Sequence, residues 1–368
     1  MFKQYFKFIV RKLSRNRVYT VINIVGLSIA FSAAWLIYSH TSNEWNMDGY
    51  LKNSDNIYRV ITRYGDEDFW NCRTNTPFGP AAKRAFPEIV QVARYFQKDY
   101  RIKIKDDQDF TIEPKLAFVD PPFFDLFEIP VIQGKIDTTV FSWIVFTETS
   151  AKRYFNKENP IGKTVTIKDG INNRKKDIKC QVVAVIKDFP ANSTIQANII
   201  VDCRQGIPYF DEHRGNYSLY TYFHILPTAD LRAIEKKLPT IASNMPDDVN
   251  HFSHRLQPLK DIYFHSEHLR EDELLRGSQS LTYLLWSITI LILLLAAGNF
   301  LLIRIAQQDR DSSRFAIHKC YGASNKHLFY QLLGEIGLQT GVILLLSCIL
   351  TYGLHPYFIQ ILSPEHIY

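Results

Sequence analysis

Three stretches without a single Asp, Glu, Lys or Arg constrain this chain more than any other feature. They cover residues 18–43, residues 277–303 and residues 336–354, and the third ends at His355 and Pro356, where proline favours the end of a helix. About 20 apolar residues at 1.5 Å per residue cross the hydrocarbon core of a bilayer. The sequence therefore predicts a membrane protein with three α-helical spans, at residues 18–40, 277–303 and 336–355.

Basic residues near these stretches predict how the chain is oriented, because short loops rich in Lys and Arg stay in the cytoplasm. The segment before the first span is basic and contains no acidic residue. Residues 304–335, between the second and third spans, also carry more basic than acidic side chains. Residues 41–276 are nearly balanced in charge, so nothing marks them for the cytoplasm. We expect an inner N-terminus, a large outer segment at 41–276, an inner loop at 304–335 and an outer tail at 356–368.

Residues 1–17 show the apolar spacing of an amphipathic helix, with apolar side chains three and four positions apart. Such a helix would lie on the cytoplasmic leaflet with its basic face near anionic headgroups. A plain basic flank to the first span is the alternative. A cleaved signal peptide fits less well, because the apolar run exceeds about 15 residues and no Ala-x-Ala follows it. The candidate lipid-contacting residues are Lys3, Lys7, Arg11, Lys12, Arg15 and Arg17.

The outer segment reads as an α+β domain of two subdomains. With 46% hydrophobic and 14% aromatic residues overall, the chain can bury a substantial core. Strand-like runs are at 57–62, 143–146, 164–167, 180–186 and 220–226, and helical runs at 80–86, 150–155 and 230–238. The formal net charge of +6 resides mainly in the membrane flanks, so it does not indicate a nucleic-acid partner. Whether any two of the outer cysteines, Cys72, Cys180 and Cys203, form a disulfide is left open.

No motif in the sequence supports catalysis. Gly162-Lys163-Thr164 resembles the end of a phosphate-binding loop, but Lys157 stands where that loop needs its first glycine. The pairs His251/His254 and His265/His268 could supply metal ligands only if the fold brought them together, and ordinary histidines are far commoner. The sequence predicts no catalytic, cofactor-binding or metal-binding residue, so nothing in these motifs argues against a non-catalytic role.

Several motifs occur in a fixed order along the chain, at residues 119–127 with Gly134, then at residues 146–155, 159–165, 185–193, 257–266 and 316–324. Each motif alone is modestly specific, but their order together with the positions of the spans is highly specific. In this order the chain resembles the FtsX-like, MacB-type permeases of ABC transporters, including their MacB-like periplasmic core domain.

This resemblance implies a permease without a nucleotide site, driven by a separate cytoplasmic ATPase in the bacterial inner membrane, with the large domain in the periplasm. It implies transport by mechanotransmission, in which movement of the outer domain exports or extracts a substrate. Further partners would be a second permease half or an identical copy, membrane lipids, and periplasmic or outer-membrane components. An anchored ligand sensor, a regulator of envelope hydrolases and a surface hydrolase remain the alternatives.

In the family, a short helix after the second span seats on the ATPase, and the resemblance carries this role to one segment of this chain. Arg314 and His318 depart from the family, which often has glutamate and arginine there, and this leaves the strength of coupling open. The family unit also has four spans, so we expect either a truncated chain or one half of a tandem permease. The matching coupling residues are Arg314, Phe315, Ala316, Ile317, His318, Lys319, Tyr321, Gly322, Ala323 and Ser324.

Overall fold

The computed structural model describes residues 17–65, 68–104, 109–137, 142–168, 177–205, 219–243, 252–270, 272–320 and 325–362. These residues form two compact units. One contains the chain up to Asn43 and from Gln279 onward, and the other is Glu44–Ser278. The predicted N-terminal amphipathic helix falls outside the described residues, except for the exposed Arg17.

The α-helices and β-strands of the described residues, in chain order, are as follows. The helices are α1 (Arg17–Trp45), α2 (Phe78–Ala85), α3 (Phe123–Leu126), α4 (Glu148–Phe155), α5 (Leu231–Ser243), α6 (Gln279–Cys320) and α7 (Asn325–Leu362). The strands are β1 (Ile57–Tyr64), β2 (Trp70–Asn71), β3 (Ile89–Lys103), β4 (Thr111–Val119), β5 (Val131–Gly134), β6 (Trp143–Thr147), β7 (Thr164–Lys168), β8 (Ile178–Ile186), β9 (Ile199–Asp202), β10 (Tyr220–Ile225), β11 (Phe252–Pro258) and β12 (Leu269–Arg270).

The strands of Glu44–Ser278 belong to one mixed sheet in the order β12-β2-β1-β10-β3-β4-β9-β6-β8-β5. Strand β11 pairs with β1, and β7 pairs with both β3 and β8. Most neighbours are antiparallel, whereas β4/β9, β6/β8 and β2/β12 are parallel. The long strand β3 runs through both halves of the domain, because its first residues pair with β10 and its last with β7.

The predicted α+β domain is confirmed, and its two subdomains take the form of two lobes that share this sheet. In one lobe, α2 and α5 cover β1, β10 and β11 over a cluster that includes Phe78, Phe223 and Leu238. In the other, α4 covers β6 and β8 over a cluster that includes Phe146, Phe155 and Val182. Cys72, Cys180 and Cys203 are all buried free thiols.

The other unit contains three helices that are long and apolar enough to cross a membrane: Arg17–Trp45, Gln279–Ala306 and Leu332–Ile361. Hydrogen bonds between α1 and α7 join Ser28 Oγ to the carbonyl of Ile343 at 3.3 Å and Thr351 Oγ1 to Ser32 Oγ at 3.1 Å. Small hydroxyl residues are typical of such helix contacts in lipid, because they allow close approach and satisfy each other.

Two helix ends differ from the sequence expectation. Helix α6 does not stop near residue 303 but continues to Cys320, and α7 passes through Pro356 to Leu362. A proline inside a helix removes one backbone hydrogen bond and bends the helix without always ending it. The bounds that we predict for the membrane spans themselves stay predictions.

Candidate coupling hairpin and membrane connections

The predicted coupling residues lie at the end of α6 and in the connection to α7. Residues 314–319 belong to the last turns of α6, and α7 begins at Asn325, only five residues after Cys320. Tyr321, Gly322, Ala323 and Ser324 lie outside the described residues. The segment that we expected to be a loop with a short helix is therefore largely an extension of two long helices.

A buried polar cluster joins α6 to α7 between the coupling segment and the apolar spans. Arg304 donates from Nη1 to Glu335 Oε1 at 3.0 Å and from Nη2 to Gln339 Oε1 at 2.8 Å. The Arg304 guanidinium also lies 5.5 Å from the ring centre of Phe300. The side chains of Arg304 and Glu335 are only 16% and 6% exposed. Arg304 therefore joins α6 to α7 through two residues of the second helix.

Sequence analysis assigned Arg304 and Glu335 to the inner loop and missed their pairing. A signal was present, since Arg304 directly follows one uncharged stretch and Glu335 directly precedes the next. Opposite charges placed at the same end of two successive spans favour an ion pair, because an unpaired charge at this depth is costly.

At its outer end α1 passes directly into a segment that is fixed to the domain. Asp48 accepts hydrogen bonds from the backbone N–H of Thr194 at 3.0 Å and from Thr194 Oγ1 at 2.6 Å. The Asn192 amide donates to the carbonyl of Asn46 at 2.9 Å, and the Asp48 N–H donates to the carbonyl of Asn192 at 2.8 Å. Burial raises the pKa of Asp48, although the hydrogen bonds from Thr194 oppose that shift.

The chain that leads to α6 is fixed by a fully buried ion pair. Arg59 Nη1 on β1 lies 2.9 Å from Asp272 Oδ2, and both side chains are 0% exposed. Arg59 Nη2 also donates to Gln257 Oε1 at 2.8 Å and Ser266 Oγ at 2.9 Å. Burial opposes the charge on Arg59, but the carboxylate of Asp272 outweighs it, so the pKa of Arg59 is raised. Only six residues separate Asp272 from Gln279, the first residue of α6.

The structure gives the motifs that sequence analysis rejected ordinary structural roles. Gly162 adopts φ +83° in the turn before β7, a conformation that favours glycine. His254 is buried and stacks on Phe78 with ring centres 4.5 Å apart. Among the described residues no group of His, Cys, Asp and Glu side chains is arranged to hold a metal ion.

Comparisons with known proteins agree with the motif order. Residues 20–241 match the model of the MacB-like periplasmic core domain, and residues 286–367 match that of the FtsX-like permease C-terminal domain. No curated protein matches the chain at a significant level.

Several solved structures are similar to part of the chain. A domain described as coming from a permease of Porphyromonas gingivalis is 18% identical with a TM-score of 0.48, over 60% of this chain and 95% of that one. The periplasmic region of MacB from Actinobacillus actinomycetemcomitans is 16% identical with a TM-score of 0.40, over 57% and 91%. The extracellular domain of the noncanonic ABC-type transporter YknZ from Gram-positive bacteria is 13% identical with a TM-score of 0.40, over 55% and 100%.

Proposed function

Because this chain belongs to the ABC transporter permeases that combine a MacB-like periplasmic core domain with an FtsX-like C-terminal domain, we propose that it transmits mechanical work across the inner membrane. Permeases of this family are typically non-catalytic, so a separate cytoplasmic ATPase would supply the energy. The domain Glu44–Ser278 would lie in the periplasm and move or release a substrate there.

The observation that carries this proposal is how tightly both ends of the domain are connected to the helices. Asp48 is bound to Thr194 only three residues after α1 ends at Trp45. Asp272 is bound to Arg59 seven positions before α6 begins. Connections of three and seven residues reach at most about 11 and 25 Å, because an extended residue spans at most about 3.6 Å. A shift of either helix beyond the slack in its connection would therefore displace the domain.

The inner end would receive the force. An ATPase that binds residues 314–324 would act on α6 and α7 together, because the Arg304–Glu335 ion pair joins the two helices. Apolar side chains in this segment, Phe315, Ile317 and Tyr321, would supply the anchors that protein interfaces favour.

A second permease half or a second copy of the chain would complete the membrane unit. Among the described residues, the most apolar stretch of α6 is only 6% buried, and Asn299 on this helix is exposed. A polar amide on a lipid-facing helix gains a hydrogen bond when another helix covers it. Lipids, together with periplasmic or outer-membrane components, would be the further partners.

The test is co-purification of the full-length chain with its ATPase. We expect alanine replacement of Phe315, Ile317 and Tyr321 to abolish ATPase recovery, because the apolar anchors are lost. Tyr352→Ala is the control, since that side chain is 87% exposed on α7 but remote in sequence from the coupling segment. Recovery of ATPase by the triple variant, or hydrolysis by the chain alone, would contradict the proposal.

A further inference from the structure

Tyr263 contacts both of the connections that lead from the domain to its membrane helices. Its hydroxyl donates a hydrogen bond to Glu44 Oε1 at 2.8 Å, and Glu44 belongs to the last turn of α1. Its backbone carbonyl accepts a hydrogen bond from the N–H of Gly277 at 2.9 Å, two residues before α6 begins. One residue of the domain is thus bonded to Glu44, where the domain begins, and to Gly277, just before the domain ends.

Packing around Tyr263 makes this junction close. A Cβ atom on Gly277 would lie 2.1 Å from Tyr263 Cε1, so the chain before α6 passes directly against the aromatic ring. Beside it, the rings of Phe264 and Trp45 are 5.7 Å apart, and those of Tyr263 and Phe264 are 4.9 Å apart. Burial raises the pKa of Tyr263 and the Glu44 carboxylate adds to that shift, so the hydroxyl stays protonated and able to donate.

The two other anchors described above act on one connection each. Asp48 and Thr194 hold the chain after α1, and Arg59 and Asp272 hold the chain before α6. Each of them fixes its own connection to the domain without touching the other. Tyr263 differs because its two ends, the phenol and the backbone carbonyl, engage different connections.

We propose that Tyr263 is a positioning residue that clasps the two ends of the domain together, at Glu44 and Gly277, so that the connections to the first and second membrane helices move jointly. The inference rests on the proposed mechanical function and names a residue on which the transmission of movement depends. Breaking the phenol–carboxylate bond removes one contact of Glu44, and the loosened Tyr263 then holds Gly277 less firmly. Disturbing Gly277 has the reciprocal effect on Glu44.

The experiment is hydrogen–deuterium exchange on the full-length chain in lipid nanodiscs, read in peptides that cover residues 42–47 and 274–281. Tyr263→Phe keeps the ring and removes only the hydroxyl, so the fold is retained. We expect exchange to accelerate at least about fivefold in both peptides, which corresponds to the loss of roughly one hydrogen bond. Gly277→Ala, whose Cβ would lie against the Tyr263 ring, should accelerate exchange in residues 42–47 as well.

Tyr50→Phe is the matched control, because the Tyr50 hydroxyl bonds to Ser193 Oγ at 3.1 Å on the first connection alone. It should leave residues 274–281 unchanged. Glu44→Gln keeps an acceptor oxygen and should behave like the unaltered chain, whereas Glu44→Ala should behave like Tyr263→Phe. Acceleration in residues 42–47 alone after Tyr263→Phe would show two independent connections and overturn the clasp. No ATPase enters this measurement, so its outcome is separate from that of the co-purification test.

Discussion

Among single residues, Arg59 has the clearest energetic consequence, because its guanidinium is removed from water and depends on Asp272 for its countercharge. Asp272→Asn leaves that charge buried without a full partner. We expect a loss of about 3–5 kcal/mol in the free energy of unfolding, since breaking one side of a buried pair is far more damaging than never having it. Urea unfolding of the full-length chain in detergent, followed by tryptophan fluorescence, measures the change.

The control for this change is the ion pair between Lys152 and Glu148, which lies at the surface. Glu148→Gln breaks the bond from Lys152 Nζ, whose side chain is 71% exposed. Pairs of that kind contribute at most about 1 kcal/mol. Equal losses for Asp272→Asn and Glu148→Gln would show that burial does not determine the strength of the Arg59 contact.

His254 makes stability depend on pH. Burial lowers its pKa to about 3, from an ordinary value of 6.5. The folded chain therefore keeps His254 neutral while the unfolded chain takes up a proton below pH 6.5, so stability is full above that pH and falls as the pH drops toward 3. The loss approaches about 1.4 kcal/mol per pH unit. His254→Phe should flatten the decline between pH 6.5 and 5 in urea unfolding, whereas His265→Phe, at an exposed site, should not.

At the scale of elements, the hairpin of α6 and α7 depends on the Arg304–Glu335 pair. Arg304→Ala leaves the Glu335 carboxylate and Gln339 without their common donor, and we expect ATPase stimulation by the coupled complex to fall at least about tenfold. The exchanged pair Arg304→Glu with Glu335→Arg should recover part of the loss, because the attraction is restored. Equal activity of Arg304→Ala and the unaltered chain would show that the pair does not carry the force.

Sequence patterns predicted five strands of the domain but missed the short, buried strand β9. The runs at 57–62, 143–146, 164–167 and 180–186 lie in strands β1, β6, β7 and β8, and the run at 220–226 extends one residue beyond β10, because β-branched and aromatic residues alternate or cluster there between turn residues. Strand β3 was not predicted, since charged and amide side chains interrupt its apolar residues. Its fifteen residues form a strand because they pair with β4, β7 and β10. No local sequence pattern encodes this pairing.

The contacts at the candidate site were harder to predict than the elements. Asp48 and Thr194 are 146 positions apart, and Arg59 and Asp272 are further still along the chain. Such pairs follow from the order of strands in the sheet, so single-sequence reasoning cannot find them. The motif at 185–193, identified by resemblance alone, proves to adjoin the residues that hold the chain after α1.

At the scale of the whole molecule, the proposed topology makes a prediction for proteolysis. Trypsin added to intact spheroplasts should cleave within Glu44–Ser278 and spare residues 304–335, because only the former would face the medium. Permeabilised cells are the control, in which both regions should become accessible. Cleavage confined to residues 304–335 in intact spheroplasts would invert the orientation and exclude the proposed function.

The three buried thiols matter for the redox chemistry of the domain. Burial raises the pKa of Cys72 and Cys180 to about 12 and raises that of Cys203 as well. Since the thiolate is the form that oxidants and disulfide exchange partners attack, these sulfur atoms resist both. Once folded, the domain can therefore keep its three thiols reduced even when the surrounding compartment is oxidising.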